Sequence, residues 1–263
     1  MFKLQPYRDS FGRMYEVITG DSNIKPVRVS AIMLTHNCDD YLQYCIDALK
    51  NQVDTIYVLD DGSTDNTLKI LRKNKVDHRC VVFDGDLDLS RNMNHNMKRI
   101  KTEQWLFYVN PDEILFDLKK NYIGRMCGFL QKNKIHCVDV AFPDFVYNYG
   151  TLFAHFDWGA GPGNYWTARR LFYYTGKEKF LGKTHYNIAN LFKGEKPYNN
   201  EHTGKWKGTV VKAPDIKLFH YGKLRGIERQ RGKGERVMDG EMIARGHIAT
   251  IPYNGPHPKV LKL

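Results

Sequence analysis

Between residues 27 and 109 the chain alternates apolar runs with stretches of helical period, and few folds accommodate that rhythm. Residues 27–35 form a nearly continuous apolar run, as in a strand buried on both faces. Residues 40–50 place Tyr41, Leu42, Cys45, Ile46 and Leu49 at helical spacing. Residues 55–59 read as a second strand, 66–73 as a second helix and 80–83 as a third strand. A helix over 90–100, with Ser90 as its cap, and a strand over 105–109 complete the series. The order βαβαβαβ predicts a parallel sheet with right-handed crossovers. In open α/β sheets, ligands bind beyond the carboxyl ends of the strands.

Two of these strand ends carry carboxylates. The run from Ile56 ends in Asp60 and Asp61, and Gly62 then turns the chain. Asp65, with Ser63 or Thr64 before it, can cap the next helix. Adjacent strand residues face opposite ways, so at most one of Asp60 and Asp61 points into a site. A carboxylate there can accept hydrogens from a nucleoside. The run from Trp105 ends in Asn110-Pro-Asp-Glu113. A hard divalent cation needs oxygen ligands, and one or two carboxylates with substrate phosphates suffice. Asp112 is the first candidate ligand and Glu113 the second, while Asn110 can offer a carbonyl oxygen. Each cluster is also good turn chemistry; it is their joint placement in one βαβ series that points to a nucleotide and a metal. Arg91 opens the helix before the fourth strand, where a guanidinium can hold a base edge or a phosphate.

After Glu113 the rhythm changes. Residues 116–132 read as helix, and 137–146, 167–174 and 210–219 as extended segments. The whole is read as a single domain. It comprises an arm over 1–26, a nucleotide-binding half over 27–113, an acceptor half over 114–222 and a basic tail over 223–263. The expected class is α/β, with a mostly parallel sheet flanked by helices and a mixed C-terminal region.

Composition narrows the function. Apolar residues make up 42% and aromatics 13%, enough to build a core. No apolar run approaches the roughly 20 residues that span a bilayer, and the first residues lack a signal-peptide core. Cys38, Cys45, Cys80, Cys127 and Cys137 follow no C-x-x-C spacing, so free thiols in the cytoplasm are expected. The net charge of +11 favours anionic partners such as acidic polysaccharide, nucleotide diphosphates, an anionic membrane or nucleic acid. Nucleic acid is the weaker candidate, because no aromatics interleave with the basic residues after Lys223. No P-loop, G-x-S-x-G or G-x-G-x-x-G pattern is present, which argues against an ATPase, a serine hydrolase and a dehydrogenase. His220, at a strand end before Tyr221 and Gly222, can be a metal ligand.

These motifs together resemble those of family 2 glycosyltransferases of the GT-A fold. Residues 29–37, ending in Asn37, are similar to the family's first strand, and residues 58–67 to its most recognisable motif. Arg91-Asn-Met-Asn94 with residues 105–113 resembles the "RNxG … W … LDADE" pattern of a lipopolysaccharide-core-like branch. His220-Tyr-Gly222 with Arg225 is similar to an "HYGWVR" signature, and Gly255-Pro-His-Pro258 to a "GxHP" signature. The resemblance implies inverting transfer from a nucleotide-diphosphate sugar, a UDP-sugar foremost, to a glycan, lipid-linked or other polyanionic acceptor. Asp61 would bind the base, Thr35 and Asn37 would line the nucleoside pocket, and Arg91 would contact base or phosphates. Asp112 and His220 would hold Mn²⁺ or Mg²⁺. Three positions depart from the pattern. Asn110 stands for the first aspartate of the metal motif, and Asn94 for a glycine, as suits a position of positive φ. His185-Tyr186 stands for "HE", which leaves His185, Asp157 or Asp144 as the general base. The alternatives to an active enzyme are a degenerate transferase that binds without turnover and a nucleic-acid-binding protein.

Overall fold

The computed structural model describes residues 1–8, 12–82, 89–145, 148–153, 166–181, 187–190, 208–224 and 250–261. Four strands carry the expected parallel core: β3 (Val29–Thr35), β4 (Thr55–Asp60), β5 (Asp77–Cys80) and β6 (Gln104–Tyr108). They lie in the order β6-β3-β4-β5, with β3 parallel to β4 and β6, and β4 parallel to β5. Helices α1 (Leu42–Leu49), α2 (Thr67–Lys73) and α3 (Leu89–Met97) connect them. Both faces are covered, and the strand side chains divide by alternation. Ala31, Met33, Trp105 and Phe107 pack with α1, α2 and α4 (Tyr122–Lys132). Ile32, Leu106 and Tyr108 pack on the opposite face with Met93 and Met97 of α3.

The sheet then extends with mixed polarity. β8 (Cys137–Phe142), β10 (Trp166–Tyr174) and β13 (Val210–His220) join it, with β10 antiparallel to both β6 and β8. β13 runs parallel to β8. Residues 1–26, expected as an arm, contain a hairpin, β1 (Lys3–Arg8) and β2 (Met14–Thr19), which joins the sheet through β13. The full sheet has ten strands in the order β1-β2-β13-β8-β10-β6-β3-β4-β5, with β7 (Glu113–Leu115) pairing β13. Two small hairpin-like pairs stand apart: β11 (Glu178–Leu181) with β12 (Asn187–Asn190), and β9 (Thr151–Phe153) with β14 (Thr250–Pro252).

Three expected elements moved. The third strand lies at Asp77–Cys80 rather than 80–83, because this polar edge segment pairs with Tyr57–Asp60. The helix expected from residue 116 begins at Tyr122. β7 lies just ahead of the expected start, and the Phe116 amide continues its pairing by donating to the Lys217 carbonyl at 2.9 Å. The last extended segment runs through His220, so the candidate ligand is itself a ladder residue. None of the five cysteines is in a disulfide. Among the described residues no helix is long and apolar enough to cross a membrane.

Candidate functional site

The ends of β6, β3 and β4 are adjacent at one sheet edge, with β3 in the middle. Two strand spacings separate the outer ends by roughly 10 Å. At the β4 end, the two aspartates take different roles. Asp60 is buried, and its carboxylate accepts from Thr35 Oγ1 at 2.7 Å, the Ser63 amide at 2.9 Å and Ser63 Oγ at 2.6 Å. It is a bracket for the turn. Asp61 follows half-buried, its amide donating to the Thr35 carbonyl at 2.8 Å.

Thr35 and Asn37 are already engaged by this bracket. The Thr35 hydroxyl is the donor to Asp60. Asn37 adopts φ 46°, its amide N–H donates to Ser63 Oγ at 2.9 Å, and its Oδ1 accepts from the Thr64 amide at 2.8 Å. Both residues hold the loops after β3 and β4 together. Asp65 accepts from the Thr67 amide at 2.9 Å, which satisfies one free N–H at the start of α2.

Arg91 is exposed in the first turn of α3, and Asn92 beside it is buried. Ser90 Oγ and Asn92 Oδ1 have no hydrogen-bond partner among the described residues. Asn94 does not occupy a positive-φ position; it lies within α3. Its side chain donates to the Phe180 carbonyl at 2.9 Å and accepts from the Phe180 amide at 2.8 Å. The amide replaces a ladder partner for β11, which a glycine there cannot do.

At the β6 end, Asp112 faces His220 across β7 and β13. The ladder pairs Glu113 with His220, and the Tyr221 amide donates to the Asp112 carbonyl at 3.0 Å. Asp112 Oδ2 and His220 Nε2 are 3.8 Å apart, and their side chains keep 12% and 20% exposure, enough to be reached. On its other nitrogen, His220 Nδ1 meets Asp144 Oδ1 at 2.7 Å. A carboxylate behind the far nitrogen is the usual way of fixing the ring of a metal-ligating histidine. Burial pushes the His220 imidazole down, but Asp144, Asp112 and Glu113 outweigh it and lift it to about 9.

The space before the pair is kept by Gly222. A β-carbon on that residue would lie 2.5 Å from Asp112 Oδ2 and 2.7 Å from His220 Nε2. One carboxylate, one imidazole and the space kept by Gly222 would suit Mn²⁺ or Mg²⁺ whose remaining ligands would be phosphate oxygens and water. Among the described residues no group of three or more His, Cys, Asp or Glu side chains is placed to hold a metal ion.

Glu113, the second candidate ligand, faces elsewhere. It is fully buried, accepts from Arg170 Nη2 at 2.5 Å, and is bonded by both the backbone and side-chain nitrogens of Asn110. Burial pushes its carboxyl up, and Arg170 opposes that. Arg170 escaped the sequence reading. It lies at a register shift between β10 and β8, at Arg169/Leu171, and a bulge of this kind re-aims a side chain. Its guanidinium packs 4.5 Å over the Tyr108 ring and 5.2 Å from Phe142. The available signal was the pair Arg169-Arg170 inside an apolar strand, one of which had to point inward. Asp144, one of the three candidate bases, is spent on His220. The other two, His185 and Asp157, lie outside the described residues, as do Tyr186 and Arg225.

Comparison with known proteins gives the following. The profile described as Glycosyl transferase family 2 matches residues 30–197. The SPbeta prophage-derived glycosyltransferase SunS of Bacillus subtilis (strain 168) is 24% identical over 193 residues, covering 72% of this chain and 38% of SunS. The chain thus spans little more than a third of that relative's length. Chondroitin synthase of Escherichia coli is 38% identical over 58 residues, 21% of this chain and 8% of the synthase. Among solved structures, S. aureus TarS 1–349 in complex with UDP-GlcNAc aligns at 21% identity with a TM-score of 0.37, covering 45% of this chain and 35% of TarS.

Proposed function

The chain belongs to glycosyl transferase family 2, and from that membership we propose that it moves a sugar from a nucleotide-diphosphate donor to an acceptor hydroxyl. The observation that carries this reading is the Asp112–His220 pair, 3.8 Å apart at the sheet edge, with Gly222 keeping the space before it clear. Asp61 holds the base, and Thr35 and Asn37 shape the nucleoside side through their bracket on the β4 turn. Arg91 contacts base or phosphates. Asp112 and His220 would hold Mn²⁺ or Mg²⁺, with Asp144 orienting the imidazole. A cation bound there would supply positive charge to offset that of the departing diphosphate. Inversion requires a base for the acceptor proton on the face opposite the leaving group. We assign that role to His185 or Asp157, because Asp144 is engaged by His220.

A UDP-sugar is the donor we assign, and the lipopolysaccharide-core-like branch is the part of the family whose motifs this chain resembles, with departures at Asn94 and Asn110. The net charge of +11 supports a glycan, lipid-linked or other polyanionic acceptor, met in the cytoplasm. Asn110 does not favour the reading of binding without turnover, since its amide is committed to Glu113 rather than missing from a ligand set. The deciding experiment is calorimetric titration of UDP with and without Mn²⁺, in the wild type and in Asp112→Ala. Mn²⁺ should tighten UDP binding in the wild type alone. If EDTA leaves UDP affinity and sugar transfer untouched, the metal reading fails.

A further inference from the structure

The segment after residue 249 reaches back to the metal-side loop. β14 pairs with β9, the Tyr253 amide donates to the Gly150 carbonyl at 2.8 Å, and Leu261 is buried. Between these anchors lies Gly255-Pro-His-Pro258. A β-carbon on Gly255 would strike the Tyr253 ring at 2.7 Å, and that ring turns back so that its hydroxyl donates to the Pro256 carbonyl. The Pro258 carbonyl accepts from the Leu261 amide at 3.0 Å. His257 is thereby presented to Tyr221, its Nδ1 lying 2.7 Å from the hydroxyl.

The other bond of His257 fixes which tautomer is present. Nε2 lies 3.0 Å from the Tyr149 carbonyl, which can only accept, so Nε2 carries the hydrogen. Nδ1 is then an acceptor, and the Tyr221 hydroxyl donates to it. Burial pushes the His257 imidazole below its ordinary range, against the opposing pull of the Tyr149 carbonyl. The Tyr221 ring is stacked on Phe145 at 5.0 Å and on Tyr41 at 5.8 Å. Its far end is pinned by His257 and its backbone by the Asp112 carbonyl. Tyr221 stands between His220 and Gly222, so pinning it fixes the peptide that carries one ligand and the cradle.

We propose that residues 250–261 form a latch on the metal-side loop and that His257 is a positioning residue for the Asp112–His220 pair, acting through the Tyr221 hydroxyl. This role rests on the metal reading above. The test measures Mn²⁺ affinity in the presence of UDP, together with hydrogen exchange of the Tyr221 amide in the absence of metal. In His257→Ala, Mn²⁺ binding should weaken about 10-fold, the lower end for loss of a partner outside the ligand set. The Tyr221 amide should exchange faster. Tyr221→Phe should match it, and the double variant should lose no more than either single one. His257→Gln should restore most of the loss, because its amide can donate to Tyr149 and accept from Tyr221. Mn²⁺ affinity and Tyr221 protection that survive in a folded His257→Ala protein overturn this role alone. A wild-type protein that binds no Mn²⁺ overturns the metal reading and this role with it.

Discussion

Asn110 donates its side-chain amide to Glu113 Oε1 at 2.7 Å, while its own Oδ1 accepts from the Tyr108 hydroxyl at 2.5 Å. An aspartate could accept from Tyr108 but could not donate to Glu113. The family's usual residue would therefore set two carboxylates against each other beside a single arginine, Arg170. The asparagine completes a buried network, and Asp112 carries the carboxylate on the Nε2 side of His220, opposite Asp144 on Nδ1.

Asn110→Asp should therefore destabilise the fold rather than improve metal binding. Removing the donor to a buried carboxylate costs about 1–3 kcal/mol. Urea denaturation of both proteins measures it, and Mn²⁺ affinity should not rise. An Asp variant of wild-type stability that binds Mn²⁺ more tightly would show that residue 110 is a ligand position after all.

Asp61→Ala should weaken UDP binding by about 1.5–3 kcal/mol, the range for a hydrogen bond to a charged group. The thermal midpoint should hardly change, because the turn is bracketed by Asp60. Asp60→Ala should do the reverse damage, lowering stability first. Unchanged UDP affinity in a folded Asp61→Ala protein removes Asp61 from the base-binding role.

Gly222→Ala places a methyl group 2.5 Å from one proposed ligand atom and 2.7 Å from the other. Mn²⁺ affinity should drop by about 10-fold or more, as for disturbed outer-shell partners, while UDP binding in EDTA stays at the wild-type level. Electron paramagnetic resonance of free Mn²⁺ reads the first quantity and calorimetry the second. Equal Mn²⁺ affinity in the two proteins would place the cation elsewhere.

Asn94→Ala should cost about 1–3 kcal/mol through the lost bonds to the Phe180 backbone. Asn94→Gly should cost about 1 kcal/mol more, from helix propensity. Chemical denaturation of the three proteins orders them. A glycine variant as stable as the wild type would mean that the amide clamp contributes nothing.

The base assignment separates by single-turnover transfer. Loss of a general base lowers the rate by roughly 10²–10⁴-fold. That drop should appear in either His185→Ala or Asp157→Ala, with UDP binding near normal in both. Wild-type rates in both variants would exclude the two residues together.

The parallel core was legible because β3 and β6 are buried on both faces and so read as continuous apolar runs. The β4 turn was legible because Asp60, Asp61 and Gly62 are local chemistry. What sequence reading missed depends on distant partners. Ile114 and Leu115 suit a helix or a strand equally well, and only β13 decides between them. β5 is a polar edge strand, so the apolar residues after it drew the expected strand too far along the chain. Arg170 faces Glu113 because of a bulge, which has no sequence signature of its own. The clamp made by Asn94 needs a β11 backbone that lies far away in sequence. The Asp112–His220 relation was suggested only by the family resemblance, since nothing local links the two residues.

That relation has a consequence for how the molecule is assembled. Asp112 precedes β7 and His220 ends β13, and the two meet because Glu113 and His220 are register partners in one short ladder. The Asp60 bracket, by contrast, is built from β3, β4 and the turns that follow them. A ribosome that has released the chain only through residue 200 has exposed every residue of the Asp60 bracket but none of β13. Such a nascent chain carries all of the Asp60 bracket before it carries the histidine of the Asp112–His220 pair.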